Sequence, residues 1–144
     1  MRVIKFRAWD NKDGRMYIGN EPFRGDTEKN IAVELDGSVV VEDHEEYYPS
    51  IMSYDYRAVA PFSETLVLMQ FTGLLDKNGK EIYEGDLVRA HYPSLDTLET
   101  HQICQVVYAE PEFVMINGEG DDLSLGGEVE IVGNIYENPE LLTV

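Results

Sequence analysis

The chain has 144 residues, 43% of them hydrophobic and 27% charged, and its 28 Asp and Glu against 11 Lys and Arg leave a net charge of -17. That length suits a single domain able to bury a core without staples, and the lone Cys104 excludes an intramolecular disulfide. A general nucleic-acid binder, which draws its affinity from Lys and Arg, is disfavoured, as is a helical membrane span, which needs an apolar run of about 20 residues.

Residues 2–9 alternate polar and apolar side chains, stop at Asp10-Asn-Lys-Asp-Gly14 and resume at residues 15–18, which predicts a hairpin. The start lacks the apolar stretch of a signal peptide, so the expectation is a soluble, cytoplasmic protein. Residues 31–35 and 38–42 predict a second hairpin through Asp36-Gly37, a dipeptide that favours a two-residue primed turn. From 43 to 64 the pattern fails. Asp43-His-Glu-Glu-Tyr-Tyr-Pro49 is acidic and aromatic, and Pro49 and Pro61 interrupt regular elements, which predicts a loop with room for one helical turn.

Strand patterning returns at residues 65–72, 81–83, 86–92, 101–108, 112–117 and 128–136. Between the first two, Lys77-Asn78-Gly79 supplies the positive φ angles of a tight hairpin, and Glu84-Gly85-Asp86 turns the chain into the next strand. Val129, Ile131 and Ile135 alternate with Glu128, Glu130 and Asn134, predicting one buried and one wet face, with Gly133 at a bend. Near the end Asn138 can cap a short helix, Pro139 fits its first position and Glu140 favours the positive end of its dipole. Short strands at this spacing predict a mainly β fold with little helix: N-terminal hairpins plus a C-terminal SH3-like small barrel or strongly bent antiparallel sheet. Residues 1–144 read as one domain, with candidate lobes at 1–64 and 65–144. Phe6 and Gly14 are spaced as Phe71 and Gly79 are, and a basic residue follows each glycine. One extra residue before Tyr83, compared with Tyr17, would fit a bulge.

Candidate chemistry is sparse. Asp43, His44, Glu45 and Glu46 are adjacent, so on an extended chain they point in opposite directions and read as a solvated acidic loop. His91, His101 and Cys104 include zinc-type ligands, but there is no second Cys, and strand alternation sends positions 101 and 104 to opposite faces. Glu119-Gly-Asp-Asp122 lacks the ligand pattern of a calcium loop and reads as a hairpin tip. Ser53, Ser63, Ser94 and Ser124 lack a strand-turn-helix elbow, and no Gly-rich phosphate cradle is present. No catalytic residue, cofactor or metal is therefore predicted, although a working carboxylate pair stays open. Tyr47, Tyr48, Met52, Tyr54, Tyr56 and Phe62 concentrate in the irregular middle, with Ile51. They read either as cover for the barrel or as a protein interface, since Tyr leaves one polar end wet.

Three blocks carry a family resemblance: Ile4-Lys-Phe-Arg-Ala-Trp-Asp10, Met69-Gln-Phe-Thr-Gly-Leu-Leu-Asp-Lys-Asn-Gly-Lys-Glu-Ile-Tyr-Glu-Gly-Asp-Leu-Val88 and Ile131-Val-Gly-Asn-Ile-Tyr-Glu-Asn-Pro-Glu-Leu141. In this order, reaching nearly end to end, they resemble the YopX family of phage and prophage proteins. The resemblance implies a β-rich protein of viral origin acting in the host cytoplasm, and it transfers no catalytic residue. The expectation is a non-enzymatic protein-binding or self-assembling β module, a homo-oligomer with a host or phage protein as partner, and no direct contact with nucleic acid or membrane. Two alternatives stand beside it: an acidic mimic of nucleic acid that occupies a basic host protein, and an enzyme with an unrecognised site.

Overall fold

A computed structural model describes residues 3–12, 14–18, 29–33, 39–43, 59–60, 66–92, 100–126 and 128–143. The chain divides into two compact units, Arg7–Leu68 and Met1–Phe6 with Met69–Val144. In the former, β1 (Phe6–Asp10) and β2 (Arg15–Ile18) form the predicted hairpin, with Trp9 opposite Met16 and Asp10 opposite Arg15. The Asp10 side chain shapes its turn. Its Oδ1 accepts the Lys12 N–H at 2.8 Å while its carbonyl accepts that of Gly14 at 2.8 Å, and Gly14 has φ +62°. Ala8, Trp9 and Asp10 are buried.

The same unit holds a sheet of β3 (Lys29–Val33), β4 (Val39–Asp43) and β5 (Val59–Ala60). Val33 pairs with Val39, whereas a two-residue turn at Asp36-Gly37 would set Val33 opposite Val40. The observed register is thus one residue off the predicted one, and the connecting residues 34–38 lie outside the described residues. β5 was not predictable, because two residues carry no periodicity.

The second unit is the predicted bent antiparallel sheet. β6 (Leu66–Leu75) enters it at Met69 and pairs with β7 (Glu81–Tyr83). Five strands follow: β8 (Asp86–Tyr92), β9 (Thr100–Ala109), β10 (Glu112–Ile116), β11 (Asp122–Ser124) and β12 (Val129–Asn134), in the spatial order β11-β10-β9-β8-β12. The arrangement is mainly β and SH3-like, and a 3-10 helix at Pro139–Thr143 packs on β9. Alternation aims Val88, Ala90, Cys104, Val106, Met115 and Val129 into one core with Ile82, closed by the partly buried Leu123, Leu125 and Ile131. A fully buried aliphatic side chain contributes roughly 1.5–3 kcal/mol, so this cluster is the main stabilising element of the unit. Among the described residues no helix is long and apolar enough to cross a membrane.

Bulges fall where glycines interrupt the pattern. The β6–β7 register shifts between Phe71 and Leu75, around Gly73 with φ +88°, and the β8–β12 register shifts between Ile131 and Gly133. The second bulge overturns one expectation: Asn134, assigned to the wet face, is buried, because an extra residue in the strand inverts the alternation after it. The 3-10 helix starts directly after Asn138 as predicted, with the Asn138 carbonyl accepting the Leu141 N–H at 3.1 Å, but the Asn138 side chain is engaged elsewhere. Its Oδ1 accepts the Asn134 N–H at 3.4 Å, so the side chain faces the end of β12.

Two turns fasten the sheet. Gly85 (φ +78°) donates its N–H to the Val106 carbonyl at 2.8 Å and accepts the Ile135 N–H at 2.9 Å. A Cβ at Gly85 would stand 3.1 Å from the Met69 sulfur. At the other turn, the Asp76 carboxylate accepts N–H bonds from Asn78 (2.8 Å) and Lys80 (2.9 Å) through Oδ1 and from Ile131 (3.2 Å) through Oδ2. The Lys77 N–H meanwhile donates to the Val129 carbonyl at 2.9 Å. The β6–β7 turn therefore occupies the backbone groups of β12 that point away from β8, covering an edge that would otherwise be open to strand pairing.

Candidate functional site

The predicted interface residues Tyr47, Tyr48, Met52, Tyr54, Tyr56 and Phe62 all lie outside the described residues, as do His44, Glu45 and Glu46. Asp43 closes β4. Of the zinc-type trio, the backbones of His91 and His101 pair across β8 and β9, while Cys104 is fully buried in the core. Burial pushes its thiol above the ordinary range. Among the described residues no group of His, Cys, Asp and Glu could hold a metal ion.

Asn117 organises the acidic tip between β10 and β11. Its Oδ1 accepts the N–H groups of Glu119 (3.0 Å) and Asp121 (2.8 Å), and its Nδ2 donates to Asp121 Oδ2 at 3.1 Å. Its side-chain oxygen is thereby committed to the turn itself.

Two further groups were not singled out in the sequence. Lys5 pairs with Glu81, whose second oxygen accepts the Tyr83 hydroxyl at 2.9 Å, and the ammonium lies 5.6 Å from the centre of the Phe71 ring. The Lys5 hydrogen bond, then that of Tyr83, holds the Glu81 carboxyl below its usual range against the opposing effect of burial. On the neighbouring surface Lys77 (2.8 Å) and Arg89 (3.4 Å) converge on Glu130. The Lys77 hydrogen bond is the main cause that holds this carboxyl low, against burial and the charge of Asp76. Lys77–Glu130 braces the β6–β7 turn against β12, Arg89–Glu130 links β8 to β12 and Lys5–Glu81 ties the segment before β1 to β7; the exposure of these pairs limits what each contributes.

Exposed apolar side chains mark the surface. Val3 and Ile4 are 56% and 62% exposed, and Leu74 and Leu75 43% and 56%. The two pairs sit on adjacent segments, since the Phe71 N–H donates to the Lys5 carbonyl at 2.9 Å. A separate feature is the half-exposed Tyr108, whose ring packs on Phe113 at 5.1 Å and 60° near the end of the β9–β10 hairpin. Sequence reasoning missed both surfaces: Tyr108 lies within the predicted strand 101–108, where apolar residues read as core, whereas Leu74 and Leu75 fall past the end of the predicted strand 65–72 because β6 runs on to Leu75.

A family model described as YopX protein matches residues 5–143. No curated protein matches the chain. Among solved structures, the crystal structure of protein EF1440 from Enterococcus faecalis is similar: 28% identity, 99% of each chain covered and a TM-score of 0.57. With its three motif blocks, its bent sheet and this match over nearly its whole length, the chain belongs to the YopX family of phage and prophage proteins, a family of unknown biochemical function.

Proposed function

We propose that this YopX protein is a non-enzymatic protein-binding β module that also self-associates in the host cytoplasm. The observation that carries the reading is the exposure of Val3, Ile4, Leu74 and Leu75 on adjacent segments of one unit. Large aliphatic side chains left in water on neighbouring segments are candidates for an interaction surface. The β6–β7 arm is anchored at its tip by Asp76, so Leu74 and Leu75 are presented on a braced support. The aromatic segment with Tyr47, Tyr48, Met52, Tyr54, Tyr56 and Phe62 is proposed as a second contact region on the grounds of its composition.

The test combines light scattering after size exclusion with pull-down of the tagged full chain from phage-infected cells. The Leu74→Asp/Leu75→Asp variant should lose association or a reproducible partner while keeping its melting curve. A monomer at every concentration, with partner recovery unchanged by this variant and by substitution of Tyr47, Tyr48 and Tyr54, would remove the reading.

A further inference from the structure

The chain holds two Asn-Gly dipeptides, Asn78-Gly79 and Asn117-Gly118, each in a turn between strands. In such a pair the glycine nitrogen can attack the asparagine side-chain amide, because a following residue without Cβ leaves the approach open. The two turns treat that nitrogen in opposite ways. The Gly79 N–H is donated to the Asp76 carbonyl at 2.9 Å, and Gly79 is held at φ +79° in the turn that Asp76 fastens. The Gly118 N–H donates to none of the described residues. Gly118 is exposed and outside the left-handed region, with nothing within 4 Å of where a Cβ would stand.

The amide next to Gly118 is polarised for attack. Asn117 Oδ1 accepts the N–H groups of Glu119 at 3.0 Å and Asp121 at 2.8 Å, so two donors stand where negative charge develops as the side-chain carbonyl carbon becomes tetrahedral. Nδ2, the nitrogen that would leave, donates to Asp121 Oδ2 at 3.1 Å.

We propose that Asn117 is a site of self-deamidation in the folded protein, whereas Asn78 is shielded from the same reaction. The Gly118 nitrogen bonds to Asn117 Cγ and gives its proton to hydroxide. The Cγ–Nδ2 bond then breaks, and the nitrogen takes a proton from water and leaves as ammonia. Water opens the cyclic imide, at Cγ to give aspartate or at the main-chain carbonyl carbon to give isoaspartate; no oxidant or reductant takes part. Either product sets a carboxylate where an amide donated to Asp121, so an attraction becomes a repulsion between like charges. The isoaspartyl form also adds an atom to the backbone and breaks the turn that Asn117 organises. The modification is one-way and turns a closed tip into an open, more acidic one. It goes beyond the protein-binding reading and stands independently of it.

The test holds the full chain in warm buffer at pH 8, folded or in guanidinium, and follows both dipeptides by peptide mass and by isoaspartyl methylation. In the folded chain Asn117 should convert roughly fivefold faster than Asn78, which must first release the Gly79 N–H. In guanidinium, where both turns are gone, the two should convert at similar rates. Gly118→Ala should slow conversion of Asn117 severalfold with an unchanged melting curve, since the added methyl meets nothing. The aspartyl product should elute with Asn117→Asp on anion exchange. The proposal is overturned if Asn78 converts as fast as Asn117 in the folded chain, or if Asn117 converts in guanidinium and stays intact when folded. An unchanged rate in Gly118→Ala would also overturn it.

Discussion

Replacing Asp76 should unfasten the β6–β7 turn from β12. Its carboxylate is 6% exposed and accepts three backbone N–H bonds, two inside its own turn and one from Ile131 across to β12. Hydrogen bonds to a charged group contribute about 1.5–3 kcal/mol each when no substitute is available. The Asn78 and Lys80 amides belong to exposed residues and can bind water instead, so most of the cost falls on the partly buried Ile131 N–H. Asp76→Ala should therefore lose about 3 kcal/mol, and Asp76→Asn, which keeps one acceptor oxygen, about 2 kcal/mol. For a chain of this length 3 kcal/mol lowers Tm by roughly 6–12 °C. Burial acts to raise the Asp76 pKa, but the bonds from Lys80, Ile131 and Asn78 outweigh it and hold the carboxyl below its ordinary 3.8. A depressed folded pKa means that this stabilisation is fully present above the unfolded value and is lost as pH falls through the folded one. Urea denaturation of wild type and Asp76→Asn should give a constant gap from pH 8 to 5 that closes below pH 4. A variant within 0.5 kcal/mol of wild type at pH 7, or a gap indifferent to pH, would refute the account of the latch.

Other substitutions probe the remaining joints. Gly85→Ala should cost about 2–3 kcal/mol in urea denaturation, from the left-handed backbone and the 3.1 Å approach to Met69; a loss below 0.5 kcal/mol would contradict this. At Gly133 a Cβ would lie 2.5 Å from Asn138 Oδ1 and 2.9 Å from its Cβ, so Gly133→Ala should destabilise and Asn138→Gly should partly restore it. A double-mutant cycle with coupling under about 0.5 kcal/mol would show that the clash is relieved elsewhere. Cys104 should resist thiol reagents at pH 8 in the folded chain and react at once in denaturant, since it is fully buried and its thiol is raised by burial. Rapid labelling without unfolding would place it near the surface. Glu81→Gln should cost under about 1 kcal/mol, with the difference shrinking in high salt, because its pair with Lys5 is partly exposed; a larger, salt-independent loss would point to the Tyr83 hydrogen bond.

The strands of the C-terminal unit were legible because period-two alternation and turn residues agree there. β7 and β8 match their predicted spans residue for residue, and Lys77-Asn78-Gly79 lies in the turn it was assigned to, with Gly79 at φ +79°. β5 and β11 were not legible, being two and three residues long. The buried aspartates were also missed. Asp10 and Asp76 each open a turn and each accept the N–H two residues on, a local signal that could have been read. That both are buried could not, because charged residues in a turn ordinarily face water. The candidate surfaces were hidden for related reasons: Tyr108 has the residue type and spacing of a core strand, whereas Leu74 and Leu75 lie beyond the predicted strand 65–72, where β6 runs on to Leu75; the exposure of each depends on where the sheet ends.

What the sequence determined by itself was local and compositional: strand periods, positive-φ turns, acidity, the single thiol and the blocks that carry the family likeness. These follow from side-chain chemistry and short-range sterics, which need no partner far along the chain. Tertiary structure decided which acids are buried, which strand edge is covered and which apolar residues face water. Each of those depends on contacts between residues distant in sequence, as when the Asp76 carboxylate meets the Ile131 N–H, and no local pattern encodes such a meeting.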